Sequence, residues 1–194
     1  MEERYRALLT KVYALLRPLG WRKAGGSFRL LQPDGLGKIL QFQRDRYNTR
    51  ESCRFTVNAG IYLEPSVPLV DRHFPECACQ FRTRPACLSS RYGRDTWWTL
   101  DASTDLSALT EEVLDFLRRD ALPLLDRFPS RAETVEMLLD GRAQACTDLH
   151  VMHFGTARLL TDLGYGERVL PLIASWESAP FRALAAEIRE KGER

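Results

Sequence analysis

Two arginines and several amides recur at alternating positions in stretches that predict β-strands, and together they could bind an anion. Arg82 and Arg84 are two residues apart, so both side chains point to the same side of an extended strand. Guanidinium groups beside amides and aromatic rings suit a carboxylate or phosphate, which arginine binds through two parallel hydrogen bonds. The candidate partner-binding residues are Gln41, Gln43, Thr56, Asn58, Tyr62, Arg82, Arg84 and Trp98.

The same polar pattern has a simpler interpretation, because an antiparallel sheet commonly leaves one face in water. Gln, Thr and Arg are typical of such a solvated face. Asn58 and Gln43 favour a binding role, since an amide that faces water gains little from a mid-strand position.

Cysteine and histidine side chains form a weaker candidate site for a metal ion. The residues concerned are His73, Cys77, Cys79 and Cys87. Zinc takes ligands of these types, but Cys-x-Cys is not the usual spacing of a zinc site. His150 and His153 lie three apart, and the spacing marks no further ligand near them. We therefore expect no metal and no cofactor, and we expect the two later histidines to cap, pack or remain exposed.

The familiar motifs of catalysis are missing from the sequence. It contains no Gly-x-Ser-x-Gly elbow, no Walker loop, no dinucleotide fingerprint and no His-Glu-x-x-His pair. Acidic residues lie mainly on predicted helices among arginines, which is typical of a solvated surface. The sequence therefore favours binding over catalysis.

The elements that position the candidate residues are organised around a strand at 53–63, where apolar residues occupy every odd position. Further strands are predicted at 21–32, 38–46, 79–84 and 96–100, and amphipathic helices at 3–17 and after Thr104. This pattern predicts an α+β fold with a five-stranded antiparallel sheet flanked by N- and C-terminal helices. Residues 129–194 predict an all-helical appendage packed on the sheet domain of residues 1–128.

Four short motifs give the chain a recognisable signature. They are LRPLGWRK at 16–23, LQFQR at 40–44, FTVNAGIY at 55–62 and FRTR at 81–84. Together with the Trp97-Trp98 strand and the closing helix, they resemble the bacterial family known as domain of unknown function 4304, over roughly residues 1–128. The resemblance implies an intracellular domain often encoded near contact-dependent or secreted toxin systems. It implies no catalytic residue.

Composition and charge narrow the class of protein further. Of the 194 residues, 44% are hydrophobic and 28% charged, which is ordinary for a soluble protein. Apolar runs are far too short to span a membrane, and the acidic N-terminus is unlike a signal peptide, so we expect a cytoplasmic protein. Residues 1–104 carry a net charge of +7 (17 basic, 10 acidic), whereas residues 105–194 carry −5 (11 basic, 16 acidic). This asymmetry suits recognition of a charged macromolecule, or attraction between the two halves.

Three functions are compatible with these observations. The first is a non-catalytic protein-binding module, specifically an immunity protein that neutralises a cognate toxin. The second is an enzyme that acts on a small anionic substrate through the face carrying Arg82 and Arg84. The third is a nucleic-acid binder, which is disfavoured because the paired exposed aromatics of a stacking platform are lacking.

Overall fold

An antiparallel sheet of six strands forms the centre of the structure, a computed structural model that describes residues 1–63, 74–147 and 149–192. The strands are β1 (Arg22–Ala24), β2 (Ser27–Leu31), β3 (Leu36–Arg44), β4 (Ser52–Leu63), β5 (Phe81–Thr83) and β6 (Trp98–Asp101). Their order is β1-β2-β3-β4-β5, and β6 also pairs with β4. Helices pack against this sheet, so the predicted α+β class is confirmed.

The segment predicted as one strand at 21–32 is a hairpin of two strands. Gly25 has φ +60°, a left-handed conformation that favours glycine, and it lets the chain reverse between β1 and β2. The turn explains why the sheet has six strands where the alternation predicts five.

Eight α-helices are described in these ranges. They are α1 (Glu2–Leu16), α2 (Pro85–Leu88), α3 (Leu106–Phe116), α4 (Leu122–Asp126), α5 (Arg131–Leu139), α6 (Phe154–Leu160), α7 (Gly166–Ile173) and α8 (Ala179–Gly192). Asp105 caps α3 and Ser130 caps α5 by accepting hydrogen bonds from backbone amides of the first turn. Within the described part of the chain, no helix combines the length and apolar character needed to cross a membrane.

The sheet has two faces that differ in composition. The core face carries Phe42, Phe55, Val57 and Trp98, and these side chains belong to one apolar core that also includes Leu8 of α1. The outer face carries the alternate residues of the same strands. The register pairs Gln41 with Asn58 and Gln43 with Thr56, so the outer face brings these polar residues together.

The C-terminal segment shares the core and also forms hydrogen bonds with β5 and with the residue that precedes β5. The hydroxyl of Thr147 donates to the backbone carbonyl of Arg82 at 2.7 Å, and that of Thr156 donates to the carbonyl of Gln80 at 3.4 Å. The apolar core is continuous from Leu8 to the C-terminal helices. The division into units of 1–128 and 129–194 stays a prediction.

Candidate partner-binding site on the sheet

A chain of hydrogen bonds crosses the outer face from β3 to the residue that follows β5. The side-chain amide of Asn58 donates to Oε1 of Gln43 at 2.8 Å and to Oε1 of Gln41 at 3.2 Å. Its Oδ1 accepts a hydrogen bond of 3.2 Å from Nε of Arg84. Asn58 is only 8% exposed, so its polar atoms are satisfied by these neighbours. The network fixes the direction in which Arg84 points.

Arg84 is held at its other end by the loop before β6. Its Nη1 donates to Oδ2 of Asp95, and the same oxygen accepts a hydrogen bond of 3.1 Å from the indole nitrogen of Trp97. The guanidinium carbon of Arg84 lies 5.3 Å from the Trp97 ring centroid, and that of Arg54 lies 5.7 Å from it. Cation–π contact of this kind stabilises both arginines. We call Arg54, Arg84, Asp95 and Trp97 the arginine–tryptophan cluster.

Arg54 and Arg84 are each paired with a carboxylate, yet both remain accessible. Nη1 of Arg54 lies 3.2 Å from Oδ2 of Asp45. The side chain of Arg54 is 52% exposed and that of Arg84 is 33% exposed. The cluster is therefore an ordered surface with neutralised charge, and its guanidinium and indole groups are in contact with solvent.

The remaining predicted residues lie in different surroundings. Thr56 is 1% exposed and pairs with Gln43 in the sheet register. Tyr62 lies at the other end of the outer face, where its ring stacks on Phe74 at 4.4 Å between centroids. Arg82 lies on the outer face, where it pairs with Gly60 in the sheet register, and its position is described next.

The two guanidinium groups that the sequence pairs share Glu76 as a nearby carboxyl but otherwise have different neighbours. Arg82 lies close enough to Glu76 and His153 to affect the pKa of each. Burial lowers the pKa of His153, and the positive charge of Arg82 lowers it further. Among the described residues, neither Arg82 nor Arg84 forms an ion pair with a carboxylate of the C-terminal helices. The C-terminal segment contacts the backbone carbonyls of Arg82 and Gln80 through threonine hydroxyls instead.

The structure corrects the placement of Trp98. Phe55 pairs with Trp98 in the sheet register, so Trp98 lies on the core face and is 4% exposed. Its neighbour Trp97 is the tryptophan beside the polar network. The sequence does contain the necessary signal, because Trp98 and Leu100 have the same parity in β6 and Leu100 must be buried.

Those weak metal candidates that lie in the described part of the chain form no group suited to a metal ion. Cys79 is buried against β4, whereas Cys77 is exposed, and Cys87 lies half-buried in α2. Burial raises the pKa of the Cys79 thiol, which disfavours the thiolate that a metal would need. His73 lies outside the described residues. Within those residues, no group of three or more potential ligands is placed to hold a metal ion.

A cleft of about 540 Å³ adjoins the arginine–tryptophan cluster and was not predicted. Oε1 of Glu112 on α3 accepts hydrogen bonds from the indole of Trp98 at 2.9 Å and from the hydroxyl of Tyr92 at 3.1 Å. Burial, reinforced by this carboxylate, raises the pKa of Tyr92 to about 12. Trp97 lines the same cleft as Glu112 and also contacts the two arginines.

Comparison with known proteins places the chain in a family without assigning it an activity. Residues 12–127 match the family described as a domain of unknown function (DUF4304), and the chain belongs to that family. The match covers α1 from its second half through β6, α3 and α4, and therefore includes the whole arginine–tryptophan cluster. No curated protein and no solved structure matches the chain.

Proposed function

We propose that this chain is a non-catalytic protein-binding module that binds its partner through the arginine–tryptophan cluster and the adjoining amides Gln41 and Gln43. The observation that carries the proposal is the fixed position of Arg84 between Asn58 and Asp95, against the Trp97 ring. A side chain that is already ordered loses less conformational entropy when a partner binds.

The residue types of the cluster also support an interface. Tryptophan and arginine are enriched among the residues that dominate binding energy in protein complexes. Arg54 and Arg84 extend the contact surface of Trp97 on the sheet side, and the cleft with Glu112 extends it on the other. A partner could therefore surround one central aromatic side chain.

The specific form of the proposal is a cytoplasmic immunity protein of a bacterium, which neutralises a cognate toxin by covering it. One observation supports this form: the net positive charge of residues 1–104 suits an acidic surface on the partner. The resemblance to the family adds the expectation that the gene for this chain lies near a toxin system.

The test uses the reading frame adjacent to the gene for this chain. Its product is expressed in a bacterial host alone and together with this chain, and growth and complex formation are measured. We expect the native chain to restore growth and to copurify with the adjacent product. Arg84→Glu combined with Trp97→Ala should abolish both effects while the melting temperature stays within a few degrees of the native value.

Arg182→Glu provides the matched control. Arg182 is an exposed arginine on α8, so its reversal changes the net charge equally and leaves the sheet untouched. Protection that survives the double substitution would show that the partner binds elsewhere. An adjacent product that neither inhibits growth nor binds the native chain would overturn the immunity role.

A further inference from the structure

We infer that Arg84 and Trp97 form a carboxylate-binding site, which Asp95 occupies in the free protein and an aspartate or glutamate of the partner occupies in the complex. The inference rests on the proposed function, because it names the chemistry by which the partner is recognised. It makes Asp95 an internal competitor rather than a contact residue.

The first step is the geometry around the Asp95 carboxylate. One of its oxygens, Oδ2, accepts hydrogen bonds from both the Arg84 guanidinium and the Trp97 indole. Asn58 accepts a hydrogen bond from Nε of Arg84, which favours the same direction of the guanidinium when Asp95 leaves. Two fixed donors, one of them charged, then converge on one point, which is the arrangement that binds a carboxylate.

The second step is that Asp95 can leave without disturbing the core. The loop is anchored before Asp95 at Tyr92, whose ring contacts Phe116 at 5.6 Å and whose hydroxyl donates to Glu112. It is anchored after Asp95 where β6 begins at Trp98. Residues 93–95 between these anchors are exposed. The exchange therefore requires only a change in the direction of the Asp95 side chain, which is 42% exposed, and Trp97 can stay in place.

The third step is charge, which selects a protein carboxylate over a nucleic-acid backbone. Arg54 and Arg84 are already neutralised by Asp45 and Asp95. Replacement of Asp95 by one carboxylate of a partner leaves the number of ion pairs unchanged. A phosphate backbone would instead bind through several cations that lack acidic partners.

The experiment follows the indole resonances of the full chain by two-dimensional ¹H–¹⁵N NMR. The chain has four tryptophans, and Trp97→Phe assigns the signal of Trp97. The probe is tetraglutamate, acetylated and amidated at its ends, and tetraglutamine is its neutral counterpart. We expect tetraglutamate to move the Trp97 signal and tetraglutamine to leave it in place.

The decisive comparison is between two aspartate substitutions. Asp95→Ala should bind tetraglutamate about fivefold more tightly than the native chain, because an exposed ion pair of the usual strength no longer competes. Asp162→Ala is the control, since it removes an aspartate that pairs with Arg158 on α6 at similar exposure. It should bind like the native chain. Adding Arg84→Gln to Asp95→Ala should abolish binding of tetraglutamate. Melting curves verify that the double variant folds, and Arg84→Lys serves as a second variant if it does not.

Several outcomes would overturn the inference. These are an affinity that Asp95→Ala leaves unchanged, tetraglutamate shifts confined to other tryptophans, and a single-stranded oligonucleotide that displaces tetraglutamate from Trp97. The inference and the proposed function fail separately. If Asp95→Ala leaves partner binding unchanged, the carboxylate exchange is rejected but the protein-binding module stands. If the chain binds tetraglutamate but has no effect on a toxin, the carboxylate-binding site stands and the immunity role is rejected.

Discussion

The two ends of the outer sheet face are built from the same two strands and yet have opposite character. At one end, Ile39 of β3 and Tyr62 of β4 form a small apolar cluster with Phe74 and Cys79. At the other end, two to four residues away along each strand, the same face carries the polar network around Asn58. The difference is that residues 74–79 cover the first end.

Two glycines, Gly37 of β3 and Gly60 of β4, lie at the end of the outer face that residues 74–79 cover. A Cβ atom on Gly37 would lie 2.6 Å from the Phe74 ring, and one on Gly60 would lie 2.8 Å from the sulfur of Cys79. Both approaches are too close for a side chain, so the covering segment packs directly on the backbone of the sheet. At the open end, long polar side chains occupy the equivalent positions. A glycine in the middle of a strand can therefore indicate which part of a sheet face is covered by another segment of the chain.

We expect the greatest loss of stability when a carboxylate is placed on the core face, and a much smaller loss when it is placed at the adjacent position on the outer face. Val57→Asp should prevent soluble folding, since Val57 is 1% exposed and an unpaired buried carboxylate costs several kcal/mol of a total of about 5–15. Asn58→Asp places the same group beside Arg84 and should lower the melting temperature by only a few degrees. A soluble Val57→Asp protein with a cooperative melting transition would contradict the assignment of the faces.

The next prediction concerns the loss of stability when one aromatic residue at each end of the outer face is replaced by alanine. Phe74→Ala should lower the free energy of unfolding by about 3–5 kcal/mol, because Phe74 is fully buried. Trp97→Ala should lower it by about 1 kcal/mol, because Trp97 is partly exposed and loses mainly its contacts with two arginines. Urea denaturation measures both values. Equal losses would mean that the open end is as important for stability as the covered end.

The smallest effect concerns Glu76, in the segment that covers the apolar end. Burial raises the pKa of Glu76, and the nearby charges of Arg82 and Arg84 oppose that rise. Folding therefore favours the protonated carboxyl. Its contribution to stability is fully present below the ordinary pKa of glutamate, near 4.3, and is lost as the pH rises through the higher pKa of Glu76 in the folded state. Glu76→Gln should be more stable than the native chain at pH 7, by less than about 1 kcal/mol.

This difference should disappear at pH 4 and below. Urea denaturation at several pH values measures it, and Glu51→Gln, a change in an exposed turn, should show no such dependence. Destabilisation by Glu76→Gln at pH 7 would mean that the two arginines outweigh burial.

The sequence could predict elements whose pattern is local. The alternation at 53–63 corresponds to β4, and the Ser130 pattern corresponds to the start of α5, where Oγ of Ser130 accepts from the amide of Glu133 at 3.2 Å. In the helical segment predicted at 129–194, α6 begins at Phe154, where the ring of His153 accepts a hydrogen bond from the amide of Thr156. Capping is one of three roles that the sequence leaves open for this histidine, but the sequence could not choose among them, because histidine is an uncommon cap.

The candidate site was predictable only in part. Alternation placed Gln41, Gln43 and Asn58 on one face, as observed. The roles of Asp95 and Trp97 depend on how a loop returns to the sheet after β5, and no periodic pattern encodes such a return. Separation of the covered end from the open end likewise depends on residues 74–79, which are distant in sequence from β3.

The threonine hydroxyls that contact β5 have a consequence for the nascent chain. They occupy backbone acceptors in β5 and in the residue before it, at the border of the sheet, where a strand of another molecule could otherwise pair. Thr156 follows Gln80 by 76 positions, so at ordinary rates of translation its hydroxyl reaches this border roughly 4–15 s after Gln80 leaves the ribosome. During that interval the acceptor of Gln80 lacks its threonine partner, and the border is open to edge-to-edge pairing.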